Sequence, residues 1–394
     1  MTAKPSGMLP LLLASLLVAG PVASGGAQAE GETASTSSSV ALNPSHPDEY
    51  TVVKGDTLWD ISARFLTKPW LWPEIWQANP QVQNPHLIYP GDTLSLVYIN
   101  GQPRITSTPA PGPQIRYGEP IGTIPLSEIE DWLKFMTVVQ DPKPFPYVIG
   151  LEGDNLIVGG GEVAFVKGLK NAQPGQEVQL ARATSYFAMG GKKDGRRLGG
   201  QTMLDVQGDR NHLHWGYGDA PREAHGEKLG YQMRYQALGK VTQVAGDIAT
   251  VVLFKNEAEV KVGDRVLPVE SQPYCNCFNP HPAASIPADA QLLAVDRGVA
   301  FSGAKMVVVL SVGARDGVDN GTMFSVWHPG ARRVDLVAYN DTTVADTNKV
   351  TMPDRYMGHV MVFRTFDRVS YALVTDSLRQ LEVGDFLKHP DADR

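Results

Sequence analysis

Four short stretches of the chain carry residue types that could do chemistry. Asn211-His212-Leu213-His214-Trp215 places two histidines one residue apart. On a strand they would face the same way and could share a zinc ion, one ligating and one assisting. Such a site needs more ligands upstream, yet no histidine occurs between Gly118 and Asn211, so these two read as surface or loop residues. Cys275-Asn276-Cys277 is the only cysteine pair. In an oxidising exterior an even count points to a disulfide, but one intervening residue makes a tight ring, which leaves free thiols or a labile bridge open. His281 stands nearby, and the set lacks a fourth ligand. Gly263-Asp264 and Gly384-Asp385 invite a metal or catalytic reading. The simpler reading is a turn, in which glycine supplies a positive φ and aspartate bonds the local backbone. The chain has no His-Glu-x-x-His and no Gly-x-Ser-x-Gly, nor a cysteine in a nucleophile setting with a paired histidine. No catalytic residue, metal ligand or cofactor is therefore assigned.

The stretch from Tyr50 to Val97 is where turn chemistry and hydrophobic period agree best. Tyr50 and Val52 begin a short strand of period two. Gly55-Asp56 is a turn, glycine taking the left-handed backbone and Asp56 placed to cap the next helix. Leu58, Ile61 and Phe65 fall at helical spacing. A second helix is expected near Trp72 to Ala78, with Pro73 in its first turn. Asn84-Pro85 and Pro90-Gly91 punctuate the return, and Leu94, Leu96 and Tyr98 form a closing strand. The order is βααβ with both turns at one end. Leu58, Ile61, Ile75, Ile88 and Leu94 are expected in the core, because so small a domain needs nearly all its apolar residues inside.

Tyr50-Thr51-Val52-Val53-Lys54-Gly55-Asp56-Thr57-Leu58-Trp59-Asp60-Ile61 at one end, Asn84-Pro85-His86-Leu87-Ile88-Tyr89-Pro90-Gly91-Asp92-Thr93-Leu94 at the other, and Asn79-Pro80 before the second turn resemble a LysM domain. Members of that family grip N-acetylglucosamine glycans such as peptidoglycan in a shallow groove. Backbone groups there bond the acetamido and hydroxyl groups, and apolar side chains pack on the sugar faces. The resemblance implies one wall from Gly55, Asp56, Thr57 and Leu58, and a second from Asn79, Pro80, Leu87, Ile88 and Tyr89. Lys54, Arg64 and Lys68 nearly balance Asp56, Asp60, Glu74 and Asp92, which suits a neutral glycan. The segment Leu66-Thr67-Lys68-Pro69-Trp70-Leu71-Trp72 is longer and more aromatic than the family's linker. Trp70, Trp72 and Trp76 are either a sugar-stacking platform or a brace against the rest of the chain.

The 394 residues, 42% hydrophobic with a net charge of −7, suffice for two or three domains and give no electrostatic case for nucleic acid. The basic run Lys192-Lys193-Asp194-Gly195-Arg196-Arg197 is flanked by glycines and reads as a hairpin or loop. Lys4, the apolar run Leu9 to Val18 and Ala27-Gln28-Ala29 compose a secretory signal peptide over residues 1–29. No later segment has the ~20 apolar residues of a membrane helix. The mature protein is expected to be exported to the periplasm or cell envelope, without a transmembrane segment. Residues 30–48 read as a flexible linker, 49–98 as the LysM domain and 99–117 as a stiff proline-rich linker.

Residues 118–230 read as a β-rich domain with one helix near Leu126 to Met136, capped by Ser127; residues 231–394 read as further β-rich units. An internal repeat is expected over 239–268 and 358–390, with Gly-Asp pairs 24 and 26 residues after the opening glycines Gly239 and Gly358. Gly161 to Val178 is a weaker relative. The fold class is multidomain: a small α+β LysM domain followed by mainly-β, barrel- or sandwich-like units. The function expected is non-enzymatic peptidoglycan binding, with the LysM domain holding a scaffold or partner-binding tail, whose envelope protein partner is unidentified, at the wall. The alternative is a murein hydrolase or its activator with its site in the tail. His212-Leu213-His214 resembles the second metal motif of zinc-dependent murein endopeptidases, but their upstream His-x-x-x-Asp is missing. Glycosidase carboxylates leave no local signature.

Overall fold

The computed structural model describes residues 40–76, 88–108, 121–154, 157–193, 196–203, 226–269, 278–295, 301–335, 337 and 349–393. All fall within the unit Val40–Arg394. His212, His214, Cys275 and Cys277 lie outside the described residues, as does the expected signal peptide.

The first elements follow the βααβ order: β1 (Glu49–Thr51), α1 (Leu58–Phe65), a 3-10 turn (Pro69–Leu71), α2 (Trp72–Trp76) and β2 (Thr93–Ile99). β1 and β2 are antiparallel, with Tyr50 opposite Leu94. Val52, Leu58, Ile61, Phe65, Ile75, Ile88 and Leu94 form the small core, each at most 2% exposed. Thr57, not Asp56, caps α1. Its Oγ1 accepts from the Asp60 amide at 3.1 Å and donates to Asp60 Oδ2 at 2.8 Å. Asp56 turns back instead and accepts from the Val53 amide at 2.9 Å and the Tyr50 hydroxyl at 2.8 Å.

Two expected linkers are partly built into this module. Val40 and Leu42 pack against its core, Leu42 bridges to Leu66, and the Asn43 amide donates to the Phe65 carbonyl at 2.9 Å. Residues 40–48 are thus docked chain. Gln102–Thr108 forms β3, a third strand antiparallel to β2 with Ile105 opposite Leu96. Pro103 is tolerated because β3 is an edge strand, and buried Ile105 anchors it.

Helix α3 (Leu126–Phe135) runs directly into β4 (Met136–Val139). Pro125 occupies the N-cap position without a side-chain bond, so Ser127 is not the cap. At the other end buried Arg364 donates to the carbonyls of Trp132, Leu133 and Met136, which a helix terminus leaves unsatisfied.

Among the described residues the remaining chain is mostly strand. The next nine are β5 (Tyr147–Leu151), β6 (Ile157–Val158), β7 (Val163–Lys167), β8 (Glu177–Lys193), β9 (Arg196–Met203), β10 (Gly226–Ala245), β11 (Ile248–Asn256), β12 (Val260–Lys261) and β13 (Arg265–Leu267). Then come β14 (His281–Pro282), β15 (Leu292–Val295), β16 (Phe301–Ser302), β17 (Val307–Leu310), β18 (Thr322–His328), β19 (Arg332–Val334) and β20 (Lys349–Thr351). β21 (Arg355–Thr365), β22 (Ser370–Ser377), β23 (Leu381–Glu382) and β24 (Phe386–Lys388) complete the chain. The domain boundary expected at residue 230 falls inside β10, a strand too long to divide there. β8 and β9 pair as a hairpin with Lys193 opposite Arg196, in the basic run.

Two closed rings of six strands result. In the first, β5, β7, β11, β10, β8 and β13 pair in turn and β13 returns to β5. In the second, β15, β17, β22, β21, β18 and β24 follow the same order. The Gln291–Phe386 bridge closes that ring. Matching bonds support the correspondence. The Val148 amide donates to the Asp264 carbonyl and the Leu292 amide to the Asp385 carbonyl, both at 2.8 Å. Short ribbons β6–β12 and β16–β23 flank the rings alike. Bulges fall after Leu238 and Val241 in β10 and after His359 and Val362 in β21. Gly239 opposes Leu253 and Val360 opposes Val374, so Val360, not Gly358, is the counterpart of Gly239. Measured from these, both Gly-Asp turns lie the same distance along the chain, which removes the two-residue mismatch seen from the glycines.

Side-chain alternation sorts the second ring into two cores. Val308, Leu310, Phe324, Val360, Val362, Ala372 and Val374 point inside. Val307, Val309, Met323, Met361, Phe363, Tyr371 and Leu373 point outward, yet are buried. What covers them is Ile129, Trp132 and Leu133 of α3, Phe187 and Met189 of β8, Leu229 of β10, and Trp59 and Trp70 of the βααβ module. Strands covered on both faces read as continuous apolar runs, as Val307-Val308-Val309-Leu310 does.

Candidate functional site

The two loops expected to wall the groove lie side by side. The Val52 amide donates to the Asp92 carbonyl at 2.9 Å and the Gly91 amide to the Val52 carbonyl at 2.8 Å. Each loop is the same Gly-Asp turn. Gly55 and Gly91 have φ of +100° and +98°, values that L side chains rarely adopt. The carboxylate after each glycine accepts from the amide three residues earlier: Asp56 from Val53 at 2.9 Å, Asp92 from Tyr89 at 3.0 Å. The rings repeat the device, Asp264 accepting from Lys261 and Asp385 from Glu382, both at 2.8 Å. All four aspartates are therefore turn-closing groups.

In the first ring Asp264 also takes a bidentate pair from Arg182, at 2.7 and 2.8 Å. At the matching place in the second, His328 Nδ1 lies 2.7 Å from Asp385 Oδ1. Burial pushes both carboxyls above their usual range, opposed by these partners. The Tyr50 hydroxyl is also raised, first by burial and then by its bond to Asp56. Among the described residues no group of three or more His, Cys, Asp or Glu is arranged to hold a metal ion.

The expected glycan-contacting residues divide by exposure. Gly55 is exposed with open space where a side chain would go, Asp56 and Tyr89 are partly exposed, and the neighbouring Val53 is 54% exposed. Thr57, Leu58 and Ile88 are buried and can offer a ligand only main-chain groups. Asn79, Pro80 and Leu87 lie outside the described residues. Moreover, main-chain groups of both walls are already engaged by the chain itself. The Leu58 amide donates to the Gly122 carbonyl at 2.9 Å and the Trp59 amide to the Thr123 carbonyl at 3.1 Å. On the other wall the Ile121 amide donates to the Ile88 carbonyl at 2.9 Å. Sequence reasoning missed this segment. It also missed the Thr57 cap, although Thr57-x-x-Asp60 carried the signal of a capping box.

The tryptophans of the inter-helix segment are not a sugar platform. Trp70, Trp72 and Trp76 are at most 4% exposed. Trp70 packs against His359 of the second ring, with centroids 4.3 Å apart and ring planes tilted by 50°. His359 is held by the Tyr356 hydroxyl at 2.7 Å, Asp376 at 2.9 Å and the Pro390 carbonyl at 3.1 Å. Trp70 is a brace.

The family model described as LysM domain matches residues 50–97. The chain is also similar to a protein of Bacillus subtilis (strain 168) named "Uncharacterized protein YqbP", 37% identical over 62 residues. That match covers 13% of this chain and 28% of the relative, so the chain spans less than a third of the relative's length. This is a LysM domain-containing protein with a mainly-β remainder. LysM domains are generally peptidoglycan- or chitin-binding modules. Among the described residues no helix is long and apolar enough to cross a membrane.

Proposed function

We propose that this chain is an exported, non-enzymatic peptidoglycan-binding protein whose LysM domain presents the two-ring region, as a scaffold or partner-binding surface, to the cell wall. The observation that carries the reading is the LysM match over residues 50–97, with both Gly-Asp turns at one edge of the module. The turns present exposed main chain and a half-buried Tyr89 at the rim, which suits a neutral amino sugar. Gly55, Asp56, Thr57 and Leu58 make one wall, and Ile88 and Tyr89 with Asn79, Pro80 and Leu87 the other. The Leu9–Val18 run and Ala27-Gln28-Ala29 support export to the periplasm or envelope. The strand-for-strand match of the rings supports reading the tail as a tandem repeat.

The full chain should cosediment with purified peptidoglycan, and Tyr89→Ala should weaken binding roughly tenfold by removing an aromatic face from the rim. Failure of the unaltered chain to sediment with the wall would contradict the reading. Clearing of the wall substrate in a zymogram would favour a hydrolase instead.

A further inference from the structure

We propose that Ile121–Thr123 is a built-in strap over the LysM groove, which a glycan must displace to reach the main-chain groups of both walls. The proposal rests on the glycan-binding reading and adds regulation to that same site. Three bonds define the strap. Its Gly122 and Thr123 carbonyls take the first two amides of α1, Leu58 and Trp59, at 2.9 and 3.1 Å, and its Ile121 amide reaches the Ile88 carbonyl at 2.9 Å. These amides and this carbonyl are groups of the kind that bond an acetamido group, itself a secondary amide with one donor and one acceptor. A peptide strand therefore offers the groove the same chemistry as an N-acetylated sugar.

The strap is anchored at both ends by apolar burial. Ile121, 7% exposed, sits in the LysM core, and Ile124, 1% exposed, in the core shared with the second ring. Thr123, fully buried, donates through its hydroxyl to the Phe278 carbonyl at 3.0 Å. Such a segment lies across the groove in the free chain and lowers its apparent affinity by the strap's own occupancy. It also couples the groove to the rest of the molecule. Opening frees the segment leading into α3, whose C-terminal carbonyls are held by Arg364 of the second ring. Ligand at the wall-facing groove and the state of the two-ring region are thereby linked through one short strand.

The test is a calorimetric titration of the full chain and of Ile121→Lys with an N-acetylglucosamine tetramer, together with amide exchange of the unaltered chain. Releasing one buried isoleucine should raise affinity roughly ten- to hundredfold. In the unaltered chain, saturating tetramer should strip protection from the Ile121 amide while the Leu58 amide stays protected by the sugar. Equal affinities with Ile121 protection unchanged at saturation would overturn the strap and leave the glycan reading standing. Absence of tetramer binding by both chains would overturn the glycan reading, and the strap's competition with it. The exchange measurement needs no substitution, so it decides the matter even if Ile121→Lys fails to fold.

Discussion

Replacing Arg182 by methionine should lower the stability of the chain by about 3–5 kcal/mol at pH 7, the usual cost of stripping one partner from a buried ion pair. The Asp264 side chain is fully buried, and Arg182 supplies both fork bonds to it while also reaching the Glu259 carbonyl at 2.7 Å. Without the guanidinium, the carboxylate keeps a backbone amide but loses its counter-charge. Burial already holds the Asp264 carboxyl above its ordinary range, and Arg182 is the chief opposing influence. In the variant the folded-state value must climb further above the unfolded one. Stability from such a group is fully present below the unfolded value and is lost as pH rises through the folded value. The deficit should therefore be greatest at neutral pH and shrink as the solution is acidified toward pH 4. Urea unfolding midpoints at pH 7 and pH 4.5 would show this. A deficit under about 1 kcal/mol, or one that does not change with pH, would contradict the assignment.

Trp70→Ala should cost a similar amount, about 3–5 kcal/mol, because a fully packed indole leaves a cavity where the LysM module meets the second ring. Trp70 is 4% exposed, rests on His359, and belongs to the cluster that also contains Trp59, Trp132 and Tyr371. Loss of the brace should do more than lower a midpoint. The LysM domain has its own core, in Val52, Leu58, Phe65, Ile88 and Leu94, and the rings have theirs. The unaltered chain should unfold in one urea transition and the variant in two, read by tryptophan fluorescence and by far-ultraviolet circular dichroism. Coincident transitions in the variant would show that the joint does not depend on Trp70.

The LysM domain was legible because its signals are local. Gly55-Asp56 and Pro90-Gly91-Asp92 announce turns by their own backbone chemistry, and Leu58, Ile61 and Phe65 state the helix by spacing. The ring turns at Gly263-Asp264 and Gly384-Asp385 were legible for the same reason. The closure of the rings was not, since β8 meets both β10 and β13, and no local pattern specifies such distant pairing. Glycine identity aligns Gly239 with Gly358, whereas the bulges and the opposing Leu253 and Val374 align Gly239 with Val360. The strap was equally hidden, because Ile121-Gly122-Thr123-Ile124 has no period, and its partners Leu58 and Ile88 are far away in sequence. Composition misled at residues 102–108, where Pro103 stands inside a strand that pairs along its full length with β2.

The most direct test is a titration of the isotopically labelled full chain with N-acetylglucosamine tetramer, followed through its backbone amide resonances. The expected result is saturable change concentrated at Val53 to Trp59, at Ile88 to Asp92 and at Ile121 to Thr123. Changes confined to the two rings, or none at all at millimolar sugar, would contradict glycan recognition by this groove.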